Sequence, residues 1–305
     1  MRPLKFHPIL KQTLWGGERI IPYKELASEL SRVGESWELS GMPGSESVVA
    51  EGPWTGSTLP ELIGRFGAEL LGKANYARFG QEFPLLVKFI DAREDLSIQV
   101  HPDDELARKR HGKSGKCEMW YVLEAEPGAS LLTGFSRPIA PAEYERRVAD
   151  NTLTDVLNRQ AIASGDVFYL PAGRVHSIGK GSFIVEIQQS SDITYRIYDF
   201  DRRDAAGNSR ELHTELAREA IDFESSENSR ITYAPENNQE VRLVTTPYFT
   251  TSLYTLTART RCDWSATDSF VAIVLLQGSG SLTDNEGNRI DVRPVSYTHL
   301  TLPTS

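Results

Sequence analysis

Short apolar runs separated by polar turn residues dominate this chain. Examples are PLLVKFI, MWYVL, DVFYL and SFIVEIQQ, with clusters of Gly, Pro, Asn and Asp between them. Strands of a β-sandwich or barrel typically have this length and these boundaries. The pattern therefore predicts a mainly β protein. Similar runs after residue 240, such as VRLVTT and LLQGSGSL, predict a second β domain.

Two segments have helical periodicity instead. The segment STLPELIGRFGAELLG (57–72) spaces its large apolar residues by three and four, has Ser and Thr as candidate caps, and ends at Gly72. A second helical region is expected over 141–157, with a break near Asn151. Both segments predict helical insertions in the first domain.

A polar stretch divides the chain unevenly. We expect an elaborated first β domain over 1–225, a linker over 226–240 and a partial second β domain over 241–294. The tail 295–305, VSYTHLTLPTS, does not continue the strand pattern and resembles a translated sequencing adapter, so we interpret it as a suspected artefact. An incomplete second domain would leave strand edges unpaired and impair folding.

Charge and composition narrow the possible partners. The chain has 33 Lys and Arg against 42 Asp and Glu, a net charge of −9, which argues against general attraction to nucleic acid or anionic membranes. It has no run of 18 apolar residues and no secretory h-region, so we expect a cytoplasmic protein. Cys117 and Cys262 are too few for a disulfide framework, and each is interpreted as a small semi-buried side chain.

The stretch SIQVHPDD, 97–104, combines strand alternation with metal-binding residue types. Successive side chains of a strand point to opposite faces, so Gln99 and His101 share one face while Ile98 and Val100 pack behind it. The run GKCEMWYVL likewise places Lys116 and Glu118 on one face. A polar stripe of this kind faces either a site or water.

A second histidine follows a turn motif. GDVFYLPAGRVHSIG reads G-x5-P-x-G-x2-H, in which glycine and proline form a tight turn that delivers His176 to a returning strand. Gln99, His101, Glu118 and His176 are then four candidate donors at strand ends, and such a set suits a divalent ion such as Zn²⁺. A single histidine is more often a structural residue, and this interpretation is kept for the other histidines.

The G-x5-P-x-G-x2-H motif resembles the second cupin motif. Together with FPLLVKFIDAREDLSIQVHPDD, GKCEMWYVL and ITYRIYDFDR it resembles the mannose-6-phosphate isomerases of the short bacterial class I type, over residues 3–294. Q-x-H replaces the H-x-H pair of generic cupins, as in these isomerases. The resemblance implies two cupin-like jelly-roll barrels, with helical insertions in the first and a truncated second.

The resemblance also implies the chemistry. It implies interconversion of mannose 6-phosphate and fructose 6-phosphate through a cis-enediol, with one Zn²⁺ per chain. The expected partner is a small sugar phosphate, without nucleic acid or membrane, and a monomer is favoured. The residues carried over are Arg196 and Lys116 in the active site, and Gln99, His101, Glu118 and His176 as zinc ligands.

Further roles are expected from the residues themselves. Glu186 shares a strand face with Gln188 and is the candidate proton-transfer base, with Asp192 as a weaker alternative. The phosphate needs cations in this acidic chain, and the basic segment ELARKRHGKSGK supplies them. Most of these basic residues are interpreted as a solvated helix end. The candidate substrate-binding residues are Ser97, Lys116, Arg196 and Lys88.

Two other functions stay open at this point. Two histidines and a glutamate also form the facial triad of Fe(II) oxygenases, although Gln99 would then occupy a position that O₂ needs. A non-catalytic sugar-phosphate sensor is the alternative from another class. The presence of Lys116, Glu186 and Arg196 argues against a sensor, because binding alone requires no proton-transfer group.

Overall fold

The computed structural model describes residues 3–224, 228–292 and 299–301. Antiparallel sheets dominate it, which confirms the predicted mainly β fold. The strands of the first domain are β1 (Leu4–Lys5), β2 (Ile9–Gly17), β3 (Val33–Met42), β4 (Ser45–Glu46), β5 (Leu85–Asp91), β6 (Ile98–Val100), β7 (Glu118–Ala125), β8 (Ser130–Phe135), β9 (Leu157–Ala161), β10 (Val167–Leu170), β11 (His176–Ile178), β12 (Ser182–Gln189), β13 (Tyr195–Tyr198) and β14 (Arg230–Ile231).

Two facing sheets form the first domain. The large sheet has the order β14-β10-β7-β12-β5-β3-β2, and the small sheet has the order β13-β6-β11-β8-β9. Apolar side chains from both sheets, among them Trp120, Ile184 and Ile178, pack into one buried cluster between them. A sandwich of two antiparallel sheets around one such layer is the jelly roll that the sequence predicted.

Strands β2 and β3 were not predicted. Both contain many polar residues, and Ser36, Glu38 and Ser40 of β3 are nevertheless fully buried. Their polar groups are satisfied by partners elsewhere in the chain: Glu38 binds Lys24, for example. Apolar alternation is therefore absent from the sequence of β3, although β3 pairs with β5 on one side and β2 on the other in the large sheet.

Helices cover the outer faces of both sheets. Within the described residues no helix combines the length and the apolar character needed to cross a membrane. The helices are α1 (Ile20–Tyr23), α2 (Leu59–Phe66), α3 (Ala68–Leu71), α4 (Lys73–Phe79), α5 (Asp104–His111), α6 (Pro141–Ala149) and α7 (Thr214–Ala220), with a 3₁₀ turn at Leu153–Val156.

The predicted helices form, with one correction. Thr58 and Glu61 make a reciprocal capping box at the start of α2, but Gly67 adopts φ +51°, so α2 ends there and α3 begins. The single helix predicted over 57–72 is therefore two helices. The break predicted near Asn151 is confirmed, since Asn151 has φ +54° between α6 and the 3₁₀ turn.

The rest of the chain forms small sheets. Its strands are β15 (Val241–Thr245), β16 (Thr250–Leu253), β17 (Val271–Ile273), β18 (Gly280–Thr283), β19 (Arg289–Val292) and β20 (His299–Thr301). β15 pairs with β16, β18 pairs with β19, and β20 lies between β1 and β17. Within the described residues these sheets do not close into a barrel, and the truncation of the second unit stays a prediction.

The predicted domain boundaries stay predictions. Strand β14 lies inside the predicted linker and extends the large sheet by pairing with β10. Backbone of the predicted artefactual tail forms β20, whereas residues 295–298 and 302–305 lie outside the described residues.

Cys117 and Cys262 are both free, as predicted.

Candidate metal centre

Three of the four predicted metal ligands converge between the sheets. His176 of β11 and His101, which follows β6, come from the small sheet, and Glu118 of β7 comes from the large one. Glu118 Oε1 lies 3.1 Å from His176 Nε2, and Glu118 Oε2 lies 3.5 Å from His101 Nε2. One ligand atom from each of the three buried residues lies within 4.8 Å of the other two.

Backbone carbonyls orient both imidazoles. His101 Nδ1 donates to the carbonyl of Ile193 at 2.9 Å, and His176 Nδ1 donates to the carbonyl of Arg174 at 2.7 Å. A carbonyl only accepts hydrogen bonds, so the proton of each neutral ring lies on Nδ1 and the lone pair on Nε2. Both Nε2 atoms therefore present a lone pair toward Glu118, as in metal-ligating histidines.

The convergent atoms are incompletely satisfied. Among the described residues, His101 Nε2 and both Glu118 carboxylate oxygens are buried without a hydrogen bond, although Lys116 Nζ lies 2.9 Å from Oε2. Leaving buried acceptors unpaired costs free energy. A divalent cation between them would remove this cost, so the donors present fit a borderline ion such as Zn²⁺.

Gln99 lies beside this group. It pairs with His176 across β6 and β11, and its Nε2 is 3.3 Å from His176 Nε2. Its Oε1 faces Ser97 Oγ instead, at 3.4 Å. Only an amide oxygen coordinates a cation, so ligation by Gln99 requires the amide in the reversed orientation. Its predicted role as fourth ligand stays a prediction.

The protonation states suit metal binding. Burial lowers the pKa of His101 to about 3, and the nearby Lys116 ammonium acts in the same direction. Burial alone would raise the pKa of Glu118, but Lys116 and the two imidazoles together hold it well below its usual value. A neutral imidazole and an ionised carboxylate are the forms that bind metal ions.

Charges of alternating sign continue from Glu118 across the inner face of the large sheet. Lys116 Nζ lies 2.9 Å from Glu118 Oε2 and 3.9 Å from Glu186 Oε1. Lys88 Nζ lies 3.0 Å from Glu186 Oε1 and 3.8 Å from Glu35 Oε2. We call Glu35, Lys88, Glu186, Lys116 and Glu118 the charged row. Its three carboxylates and two ammonium groups leave one negative charge for a cation to offset.

Glu186 is held by partners on both neighbouring strands. It pairs with Lys88 of β5 and with Trp120 of β7, and Trp120 Nε1 donates to Glu186 Oε2 at 3.0 Å. Burial would lower the pKa of Lys88, but Glu186 and Glu35 raise it above the ordinary lysine value. Lys88 is thus cationic, and it forms an ion pair with Glu186.

Arg196 enters the same region from β13. It pairs with Gln99 of β6, so the two side chains share a face of the small sheet. Its Nη1 donates to the carbonyl of Glu211 at 3.0 Å, and its Nε is buried without a hydrogen bond within the described chain. Burial and the neighbouring Arg210 lower its pKa from a high value.

Two further arginines were not singled out from the sequence. Arg210 Nε donates to Asp199 Oδ2 at 2.7 Å, and Arg202 Nη2 donates to Asp199 Oδ1 at 2.9 Å. Burial would raise the pKa of Asp199, but Arg210, Arg202 and Arg196 together lower it. Arg202 lies within the motif ITYRIYDFDR, which was the available signal.

The other candidate residues differ in whether they are buried near the site or exposed. Lys116, Lys88 and Ser97 are buried near the convergent ligands. Lys113 instead pairs with Asp192 at 2.9 Å in an exposed salt bridge, which takes Asp192 away from the site. A cavity of about 160 Å³ lies between α5 and α7, and no predicted site residue lines it.

A jelly roll with two histidines and a glutamate converging between its sheets defines a cupin-type metal site. The sequence model of the family described as phosphomannose isomerase type I, catalytic domain, matches residues 4–132. A mannose-6-phosphate isomerase of Streptococcus mutans is 34% identical over 284 residues, covering 92% of this chain and 87% of that protein. The chain belongs to the mannose-6-phosphate isomerase family.

Solved structures agree with this assignment. The mannose 6-phosphate isomerase of Bacillus subtilis superposes with a TM-score of 0.87 at 29% identity, covering 99% of this chain and 94% of that one. A mannose 6-phosphate isomerase described as bound with zinc and yttrium superposes with a TM-score of 0.73 at 15% identity, covering 99% of this chain and 95% of that one. At that identity the match supports the fold alone.

Proposed function

We propose that this protein is a zinc-dependent aldose–ketose isomerase that interconverts mannose 6-phosphate and fructose 6-phosphate. One observation carries the proposal: His101, Glu118 and His176 meet in a buried position, and among the described residues His101 Nε2 and both Glu118 oxygens have no hydrogen bond there. Gln99 would complete the set of ligands for one Zn²⁺ per chain. When bound, the metal would supply Lewis-acid stabilisation of charge on the sugar oxygens.

The charge balance of the site favours an anionic transition state. The charged row alone carries one excess negative charge, and a divalent cation reverses that sign. Lys116 lies between two carboxylates and is placed to stabilise an oxygen on which negative charge develops. Fixed charges act strongly here because the row is largely buried.

Proton transfer falls to Glu186. As an ionised carboxylate it takes the proton from carbon 2, which leaves a cis-enediol, and returns it to carbon 1. A hydroxyl proton moves between the two oxygens in the same conversion, so the reaction needs no other reactant. Lys88 and Trp120 orient the Glu186 carboxylate.

The substrate phosphate requires cations at a distance from the metal. Ser97 lies two residues from Gln99 on the same strand face, with its Oγ 3.4 Å from Gln99 Oε1. Arg196 lies across from Gln99, with Arg202 and Arg210 grouped nearby around Asp199. We assign Ser97, Arg196, Lys116 and Lys88 to substrate binding. A cytoplasmic location and a monomeric state stay predictions.

An assay on purified protein tests the proposal. Formation of fructose 6-phosphate from mannose 6-phosphate should stop on chelation and return on addition of Zn²⁺. Full turnover by chelated, metal-free protein would contradict the zinc-dependent mechanism. Oxygen uptake with Fe²⁺ would support an oxygenase instead, and sugar-phosphate binding without turnover would support a sensor.

A further inference from the structure

The second β domain contacts the start of α5, next to the segment that carries Lys116 and Glu118. Tyr248 lies in the turn between β15 and β16, and its hydroxyl donates to Asp104 Oδ2 at 2.9 Å. Asp104 is the first residue of α5, which immediately follows the His101 segment. The contact joins residues 144 positions apart in the sequence.

The hydrogen bonds continue from Asp104 to the strand beside it. Asp104 Oδ1 accepts from the backbone N–H of Gly115 at 2.9 Å and from Gln189 Nε2 at 3.1 Å. Gln189 Oε1 in turn accepts from the backbone N–H of Cys117 at 2.9 Å. The connected groups therefore run from Tyr248 to a peptide unit next to both Lys116 and Glu118.

Several contacts hold the turn that carries Tyr248 in place. Thr246 Oγ1 accepts from the N–H groups of Tyr248 and Phe249, at 3.0 Å each. Arg78 of α4 donates to the carbonyl of Pro247 at 3.0 Å, and its guanidinium lies 5.3 Å from the centre of the Tyr248 ring. Phe249 is buried in the cluster under the large sheet. Contacts within the second domain and with α4 of the first domain thus hold the turn from which the Tyr248 hydroxyl reaches Asp104.

The backbone at Gly115 leaves little room for movement. A Cβ atom added there would lie 2.4 Å from the carbonyl carbon of Asp103 and 2.5 Å from the nitrogen of Asp104. The 115–118 segment therefore lies directly against the start of α5. Two backbone hydrogen bonds also hold this segment, from Lys116 N–H to the carbonyl of Pro102 at 3.1 Å and from Gln189 N–H to the carbonyl of Cys117 at 3.2 Å. The side chains of Asp104 and Gln189 add to them.

We propose that Tyr248 is a positioning residue: through Asp104 and Gln189 it holds Lys116 and Glu118 in place opposite His101 and His176. The inference rests on the proposed function, because it takes Lys116 and Glu118 as members of the site. Groups that orient metal ligands affect both metal affinity and turnover, since ligand placement must hold to about half an ångström. The second domain thus contributes to the geometry of a centre built wholly from the first.

Zinc titration of the metal-free full chain tests this role, with Tyr248→Phe as the main variant. The ring stays in place and only the hydroxyl is lost, so we expect zinc affinity to fall about five- to tenfold. We expect kcat to fall by about the same factor. The KM for mannose 6-phosphate should rise as well, by no more than this factor, because Lys116 is also assigned to substrate binding; zinc affinity is therefore the deciding measurement.

Tyr233→Phe is the matched control. The Tyr233 hydroxyl also donates a single hydrogen bond, to the carbonyl of Gly165 at 2.7 Å. Gly165 precedes β10, whereas Glu118 pairs with Leu170 at the other end of that strand. Both variants should lose similar thermal stability, but Tyr233→Phe should keep the zinc affinity and kcat of the unaltered protein.

Gln189→Glu provides an independent second variant. The new carboxylate still accepts from Cys117 N–H but cannot donate to Asp104, so zinc affinity and kcat should fall as they do in Tyr248→Phe. Because both changes break one connected set, their effects in the double variant should be less than additive.

Two results would overturn the inference in distinguishable ways. Equal zinc affinity and kcat in Tyr248→Phe and Tyr233→Phe would leave Tyr248 as an interdomain contact only. An unaltered protein that neither binds zinc nor forms fructose 6-phosphate would overturn the proposed function, and this inference with it.

Discussion

Two buried lysine–glutamate pairs lie on opposite faces of the large sheet and differ in how they are completed. On the outer face, Lys24 Nζ lies 2.7 Å from Glu38 Oε2, and both side chains are 1% exposed. Ser36 Oγ donates to the other Glu38 oxygen at 2.6 Å, and the Lys24 ammonium lies 4.7 Å from the centre of the Phe89 ring. Both carboxylate oxygens of Glu38 are therefore occupied.

The inner pair is open by comparison. Lys116 and Glu118 are almost as deeply buried, yet both Glu118 oxygens and the facing His101 Nε2 lack a hydrogen bond within the described chain. Burial of opposite charges is thus common to a structural pair and to a candidate metal centre. What distinguishes the centre is unpaired acceptors pointing at one another, because protein groups alone do not offset their desolvation.

Removing a metal ligand should have the largest effect on the inner group. His101→Ala deletes an Nε2 donor, so we expect loss of bound zinc and a fall in kcat of about a thousandfold or more. Metal analysis and the isomerase assay measure the two effects. His111→Ala is the control, since His111 is exposed and bonds only to Tyr195 in the described structure. Retention of zinc by His101→Ala would remove it from the ligand set.

Breaking the outer pair should instead affect stability alone. Lys24→Met leaves the buried Glu38 carboxylate without its counter-ion, which should lower the free energy of unfolding by about 3–5 kcal/mol. Chemical denaturation measures this change, and zinc content of the folded protein should stay the same. The double variant Lys24→Met/Glu38→Leu should recover part of the loss. Loss of zinc in the single variant would contradict the separation of the two faces.

Substitution of Arg196 should affect turnover without affecting metal binding. Arg196→Ala should lower kcat about a hundredfold by removing a fixed positive charge, while zinc content stays unchanged. Arg203→Ala is a suitable control because Arg203 is an exposed arginine of the same loop region that donates to the carbonyl of Gly207. Loss of zinc in Arg196→Ala would assign it a structural role instead.

Acid should destabilise the metal-free protein through the inner group. The pKa of His101 is about 3 in the folded protein, below the usual value of about 6.5 in unfolded chains. Below about pH 6.5 the unfolded chain therefore binds a proton that the folded protein does not, and unfolding becomes more favourable. The stability from its burial is present above about pH 6.5 and is lost toward pH 3. Between pH 7.5 and 5.5 the expected loss is about 1 kcal/mol.

Denaturation of metal-free protein at the two pH values measures this loss. His101→Gln should show a smaller difference, because the amide does not titrate. Glu118 adds a loss of the same sign at lower pH, since its lowered pKa means that stability is present above its unfolded pKa and disappears as it is protonated. Equal slopes in the variant and the unaltered protein would show that His101 does not carry the effect.

Much of the site was predictable because strand periodicity is local. The opposite orientations of Gln99 and Ile98 follow from the period of two, and the structure has Ile98 in the apolar cluster behind the small sheet. Glu35 was missed because β3 has serines and a glutamate at buried positions, so its sequence lacks the apolar alternation that predicts a strand. Those residues are compatible with burial only through partners such as Lys24, which contacts Glu38 in the folded chain but is not recognisable as its partner from the sequence pattern.

The amino-acid sequence by itself determined the mainly β fold, the face on which each candidate ligand lies and the turn that precedes His176. These features depend on neighbouring residues and on backbone sterics. Tertiary structure alone decided which polar and charged side chains are neighbours. Glu186 lies between Lys88 and Trp120, and Tyr248 contacts Asp104. Such pairs form between strands and domains distant in the chain, where interaction energies depend on distances that no local pattern encodes.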